Sequence, residues 1–518
     1  MTSYPVLTTL IFVPLIAAFL LLVLPMQQQT VRRFTLWTGF IEIALSIPLL
    51  NHFNLSDGGF QFVEHMPWVP QWGLSYSLGL DGISLLMVLL SVLLLPLTVL
   101  CSWTYIGKRI KEFHFCLLLM TSACVGVFVA MDLVLFYVFW EAMLIPMYLL
   151  IAVWGGPEKK YASIKFFLYT LAGSTLLLAA IVALYYQGGT FSIPDLLTQH
   201  FPENFQIWVF LAMAIAFAIK VPMFPFHTWL PAAHVQAPSA GSVILASVLL
   251  KMGTYGFLRF CLPMCPDASQ FFAPAMIAIS VVSIIYGGLV ALGQNDIKRI
   301  IAYSSVAHMG FVTLGIFLFN QQGAEGAVMV MLNHGIVTGA LFMMVGVIYE
   351  RSHSRELLEN MGLGKYMPAF MGFFGLFALS SFGFPGLNSF VGEALVLIAA
   401  FAESTKIGLV VIPGALLAAA YMLRMGIKMA WGRPASPQGK GWADLNVREW
   451  AYLLPMAVLV IYIGLAPGLT LKVIGPSVDR MLQLYKSKTE HTAQVERNTT
   501  LRPDVLALAE TQPTGKGE

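Results

Sequence analysis

The sequence predicts an all-α polytopic membrane protein of about 14 transmembrane helices, arranged as two inverted five-helix repeats with discontinuous helices seven and twelve. Three observations carry this. The 518 residues are 58% hydrophobic and only 11% charged, against about 25% charged in soluble domains, and their mean hydropathy is +0.78. The apolar runs are separated by loops whose charge alternates in sign along the chain. Two of the runs are interrupted by proline, and the residues around the two interruptions match.

A crossing needs about 20 apolar residues. Such stretches lie near residues 6–25, 34–52, 83–105, 114–130, 132–153, 163–186, 207–225, 240–260, 273–293, 300–319, 325–349, 370–391, 408–430 and 450–470. The first lacks the basic leader of a cleaved signal and is followed by Arg32 and Arg33, so it reads as a spanning helix. Asp81, ahead of the third run, reads as its N-cap. Lys108, Arg109 and Lys111 follow span three, Lys159 and Lys160 span five, and Lys298 and Arg299 span nine. Arg351, Arg355 and Lys365 follow span eleven, and Arg433, Lys440 and Arg448 span thirteen. Loop 51–82 carries Asp57, Glu64 and Asp81 with no lysine or arginine, and loop 187–206 only Asp195 and Glu203. Basic loops thus follow odd-numbered spans, which predicts both termini on the periplasmic side of a bacterial inner membrane. Lys472, Arg480, Lys486 and Lys488 run against that pattern, and the polar end from about Lys486 to Glu518 reads as largely disordered.

The first interruption lies between FLAMAIAFAIK and SVILASVLLKMGTYGFLR. Pro222 and Pro225 directly after Lys220 must stop the helical ladder. The second is SSFGFPGLNSFVGEALVL, with Pro385 between glycines. Lys220 and Lys251 are 31 residues apart, as are Glu393 and Arg424, and YMLRMG echoes LLKMG. Five spans per unit is an odd number, so the second copy is upside down relative to the first. The division is 1–112 for helices one to three, 113–262 and 263–432 for the repeats, 433–475 for the last helix and 476–518 for a polar tail.

A lysine at the bilayer centre costs about 2.5–3.5 kcal/mol, so Lys220 and Lys251 need water or a partner. Glu141, in LVLFYVFWEAMLIPMYLL, is the acid chosen to pair with Lys220; a neutral, hydrogen-bonded carboxyl is its bland reading. His308 and His334 read singly as core histidines and together with the lysines as a proton relay, since histidine titrates near neutral pH. Glu393 lies past the second break as a terminal site. His227 and His234 flank the first break, where gating and backbone satisfaction fit equally. Lys165 reads as snorkelling, and Glu42 as a helix contact or partner surface. The five cysteines lack metal spacing and read as buried hydrophobes. Neither a phosphate loop, a Ser-His-Asp set nor a dinucleotide fingerprint is present, so metal, redox and hydrolytic chemistry are not expected, and no basic patch suggests nucleic acid.

The segment KVPMFPFHTWLPAAHVQAPSAGSVILASVLLKMGTYGFLR resembles the signature of the antiporter-like membrane subunits of respiratory complex I, with relatives in multisubunit Na+/H+ antiporters and membrane-bound hydrogenases. The likeness covers about residues 1–475. Glu393 resembles one branch of that family, whereas L- and N-type subunits carry lysine at the second break. The resemblance implies that Glu141 and Lys220 form a charge pair and that Lys251, His308 and His334 lead from it to Glu393 as the exit-side residue. It implies a proton-translocating subunit of NADH:quinone oxidoreductase, with L- and N-type neighbours and with flavin, iron–sulfur clusters and quinone in other subunits. An antiporter or hydrogenase-type complex is the alternative.

Overall fold

The computed structural model describes residues 4–432 and 442–500, with side chains to Glu490. Backbone groups in lipid must be satisfied within their own segment, so every long apolar run is helical. Helices α1 (Val6–Val23) and α2 (Gln28–His52) precede an antiparallel hairpin, β1 (Gln61–Val69) and β2 (Leu74–Leu80). Then come α3 (Gly82–Cys101), α4 (Ile110–Val129), α5 (Leu133–Trp154), α6 (Lys159–Gly188), α7 (Glu203–Lys220), α8 (Trp229–Gln236) and α9 (Ser239–Met264). The second unit holds α10 (Pro266–Gly293), α11 (Ile297–Phe317), α12 (Gln321–Ser352), α13 (Pro368–Ser381), α14 (Asn388–Glu403) and α15 (Thr405–Trp431). The chain closes with α16 (Val447–Leu465) and α17 (Pro467–Thr500).

Among the described residues, 13 helices are long and apolar enough to cross a membrane. Helices α13, of 14 residues, and α14, of 16, are too short to be counted among them and flank the second interruption. Asp81 caps α3 as expected, accepting from Ser84 N at 3.0 Å. Asp132 separates α4 from α5 in the same way, accepting from Val134 N at 2.9 Å. The basic loops meet on one face: Arg32 Nη2 donates to Ile106 O at 2.9 Å, Lys111 Nζ to Leu24 O at 2.8 Å, and Arg351 pairs with Glu449 at 2.8 Å. Arg433 and Lys440 lie outside the described residues. All five cysteines are buried and unpaired.

The structure adds a hairpin to one loop and corrects one boundary. Within loop 51–82, Gln61–Val69 pairs with Leu74–Leu80 across the Pro70–Trp72 turn. Glu64 in β1 then reaches α1 and accepts from Leu7 N at 2.8 Å and Thr8 N at 2.9 Å. The boundary at 476 also falls inside a helix, since α17 runs unbroken past Lys486 to Thr500. Its buried residues Ile474, Val478, Met481, Leu482 and Tyr485 recur at helical spacing, a stripe that low mean hydropathy conceals. Gly82 N donates to Ser477 Oγ at 2.9 Å and Tyr485 stacks on Phe319, which straps α17 across the hairpin face.

Candidate functional site

The two breaks place polar groups inside the helical bundle. At the first, α7 ends at Lys220. Its freed carbonyls find partners nearby: Met223 N donates to Ala218 O and Trp229 Nε1 to Ile219 O, both at 2.8 Å. Phe224 N donates to Ser283 Oγ at 3.0 Å. Pro222 and Pro225 therefore interrupt α7 without leaving its last turn unsatisfied. At the second break Gly383 (φ 74°) and Gly386 (φ 90°) take the left-handed backbone that other residues rarely adopt, with Pro385 between them. Asn388 spans this break, accepting from Ser380 Oγ at 2.5 Å and donating to Asn333 Oδ1 at 3.1 Å. Asn333 returns a bond to Asn388 O at 2.7 Å, tying the break to α12 one residue from His334.

Lys220 is buried, and its ammonium lies 4.9 Å from the centroid of the Trp140 ring. Glu141 is within Coulombic reach of it and lies against Tyr137. One Glu141 carboxylate oxygen is buried with no hydrogen-bond partner among the described residues. The two charges do not touch: no ion pair of 4.0 Å or less joins them among the described residues. They interact through space without a direct bond.

Lys251 is wholly buried in α9. The helix widens to a π turn over Leu245–Leu249, and Lys251 Nζ donates to Ala246 O at 2.5 Å within that turn. Its other contact is His334 Nδ1 on α12, at 2.6 Å. The rings of His334 and His308 are 5.8 Å apart, and His308 Nδ1 lies 2.8 Å from Glu393 Oε1 on α14. Tyr421 OH of α15 is 3.4 Å from His308 Nε2. A cavity of about 10 Å³, room for about one water, lies among His308, His334, Asn333 and Glu393. The chain thus brings Lys251, His334, His308 and Glu393 into one buried row across four helices. Among the described residues no hydrogen bond or ion pair links that row to Lys220.

The remaining sequence-selected residues divide. His234 is fully buried, stacked on Phe342 at 4.5 Å, with both ring nitrogens unpartnered among the described residues. It stands within Coulombic reach of Lys251 and Lys298. His227 stacks on Phe224 and meets Tyr286 edge-on. Lys165 reaches Tyr161 OH at 3.2 Å on the same helix. Arg424 is not in the row: its guanidinium caps the end of α10, donating to Leu292 O, to Gln294 O at 3.0 Å and to Asn295 Oδ1 at 2.9 Å. Glu42 is completely buried in α2, and neither carboxylate oxygen has a partner among the described residues.

Lys298 escaped the sequence reading as anything but a loop charge. It is buried and donates to Ala237 O at 2.7 Å, while Arg355 donates to Val235 O. Two cations therefore hold the C-terminal carbonyls of α8, the helix that carries His234. A lysine two places after the Asp296 cap looks like a loop residue until α8 and α9 fold over it. Asn333 and Tyr421 were missed because uncharged polar residues in apolar runs give no signal of their own.

A multipass protein with two broken helices and an intramembrane row of Lys, His and Glu is built for moving charge across lipid. The family model described as NADH:quinone oxidoreductase/Mrp antiporter, TM, matches residues 130–418, and the chain belongs to that family. NADH-quinone oxidoreductase subunit M of Rhodobacter capsulatus is 44% identical over 506 residues, covering 94% of this chain and 98% of that one. NADH-ubiquinone oxidoreductase chain 4 of Chondrus crispus is 43% identical, covering 91% and 96%. Among solved structures, a chain of respiratory complex I from Thermus thermophilus superposes with TM-score 0.85 at 31% identity, covering 92% of this chain and 99% of that one. The Mrp complex from Dietzia sp. DQ12-45-1b, at TM-score 0.80, 20% identity and coverage of 99% and 57%, shares the fold.

Proposed function

We propose that this chain is the M-type, proton-translocating membrane-arm subunit of a respiratory NADH:quinone oxidoreductase. The observation that carries the reading is the buried contact series Lys251–His334 and His308–Glu393, at 2.6 and 2.8 Å. An ammonium donates only, so with Lys251 charged, His334 Nδ1 accepts and its Nε2 holds the proton. When the Lys251 proton moves to His334, the Nε2 proton is released toward His308 and the small cavity. His308 in turn delivers a proton to the Glu393 carboxylate. Hydrophobic walls keep the row from leaking.

Glu141 and Lys220 are the drive. Unit charges about 4 Å apart attract by about 4 kcal/mol at an effective dielectric of about 20. Moving a proton against 100 mV takes about 2.3 kcal/mol. Opening or closing the Glu141–Lys220 gap is therefore sufficient in scale to push one proton. L- and N-type subunits flank the chain, flavin, iron–sulfur clusters and quinone reside in partner subunits, and both termini face the periplasm of a bacterial inner membrane. Proton pumping and NADH oxidation are measured in membranes carrying Lys220→Ala or Glu141→Gln. Pumping is expected to fall at least about tenfold, the worth of about 1.4 kcal/mol, with the complex fully assembled. Normal pumping in an assembled Lys220→Ala complex would reduce the chain to a scaffold. Co-isolation with NADH-oxidising subunits separates this reading from a stand-alone Na+/H+ antiporter.

A further inference from the structure

Beside the second break the outer surface of the bundle opens into a cleft of about 790 Å³ between α13 and α15. Its walls are apolar, formed by Met371, Phe374, Leu379, Met422, Leu423 and Ile427. Gly375 leaves it open, since a Cβ there would meet no heavy atom within 4 Å. Helix α13 has 14 residues, about 21 Å of rise, short of a hydrocarbon core about 30 Å thick. The cleft follows this half-helix to Phe382, next to Gly383, which packs against the Glu393 carboxylate.

The other end of the cleft is polar. Lys365 and Tyr366 line it, with Trp431, which is 80% exposed. Lys365 is exposed and forms no hydrogen bond or ion pair among the described residues. The N-terminus of α13 is already occupied: Ala369 N and Phe370 N donate to Asp444 at 2.8 and 3.0 Å. An exposed cation beside Tyr and Trp, above an apolar slot, is the arrangement found where a bilayer's headgroup layer meets its acyl chains.

We propose that this cleft is a binding site for an anionic phospholipid, its acyl chain along α13 and its phosphate on Lys365. Charge complementarity selects the headgroup, and the slot's length along one half-helix selects a chain. The acyl chain supplies packing that the shortened α13 lacks and seals the lipid side of the break that presents Glu393. The site does not depend on the proton-transfer reading.

The test uses the whole purified complex in nanodiscs doped with phosphatidylglycerol carrying a photoreactive diazirine on one acyl chain. A parallel set carries the same label on phosphatidylcholine. Peptide mapping is expected to place phosphatidylglycerol adducts on α13 and α15 about fivefold above phosphatidylcholine, the factor contributed by one lysine at a membrane surface. Lys365→Glu should bring the two lipids to equal labelling, with Lys365→Gln serving if the reversed charge blocks assembly. Gly375→Trp should fill the slot and remove both adducts. Equal labelling by the two lipids in the unaltered complex would overturn the proposal. So would unlabelled α13 and α15 peptides, the result expected if a protein segment fills the cleft.

Discussion

Among the described residues Lys251 has two polar contacts, Ala246 O and His334 Nδ1, and each answers a different requirement. The carbonyl belongs to the π turn over Leu245–Leu249, which loosens the helical ladder and frees an acceptor for a buried cation. The histidine is the group to which the proposed relay passes the proton. Lys251→Met keeps the volume and removes the charge, so assembly should persist while pumping is lost. His308→Gln keeps an amide N–H beside Glu393 but removes the titratable ring, so the contact, worth about 1.5–3 kcal/mol when one partner is charged, can no longer hand on a proton. Proton transfer in that variant should slow by about 10- to 100-fold at normal NADH–acceptor reduction, as read in proteoliposomes. Glu393→Gln should mimic it. Arg424→Ala, by contrast, uncaps α10 and should weaken the assembled subunit without a selective effect on pumping.

Among the elements, the broken helices depend on close backbone approach. Helix α9 lies on α7 at Gly253, where an added Cβ would come within 2.8 Å of Phe217 O. That contact sets the distance between the helices bearing Lys220 and Lys251. Gly253→Leu should force them apart at a cost of about 1–3 kcal/mol, seen as a lower melting temperature and poorer assembly. Asn388→Ala would leave Asn333 buried and partly unsatisfied, again about 1–3 kcal/mol, and should loosen the second break by hydrogen exchange. The positions of both breaks were legible, because proline and paired glycines act within a turn of where they stand. The partners closing the breaks were not, since Ser283, Asn333 and the Trp229 indole come from elsewhere in the chain or from the far side of the gap.

At the scale of the molecule, the N-terminal helices and the first repeat are joined by Arg259 on α9 and Asp81 at the head of α3, 2.6 Å apart and largely buried. Arg259 also lies 4.8 Å from the Phe60 ring. Arg259→Ala would strand Asp81, at a cost of about 3–5 kcal/mol, and Arg259→Met with Asp81→Asn should recover much of it. Thermal unfolding of the complex in detergent measures both. Helix α17 ties the hairpin face together from the other end of the chain, through Ser477 to Gly82 and Lys488 to Pro263 O at 2.8 Å.

Hydropathy, proline and charge operate locally, so the residues alone determined the number of crossings, the two breaks, the alternation of basic loops and the set of intramembrane acids and bases. Tertiary packing decided which of those groups meet. It joined Lys251 to His334 and His308 to Glu393, left Glu141 and Lys220 in electrostatic reach without an ion pair, buried Lys298 and sent Arg424 to a helix end. Those outcomes turn on how each helix is rotated about its axis and which neighbour it meets, and residues some 80 positions apart carry no local trace of that.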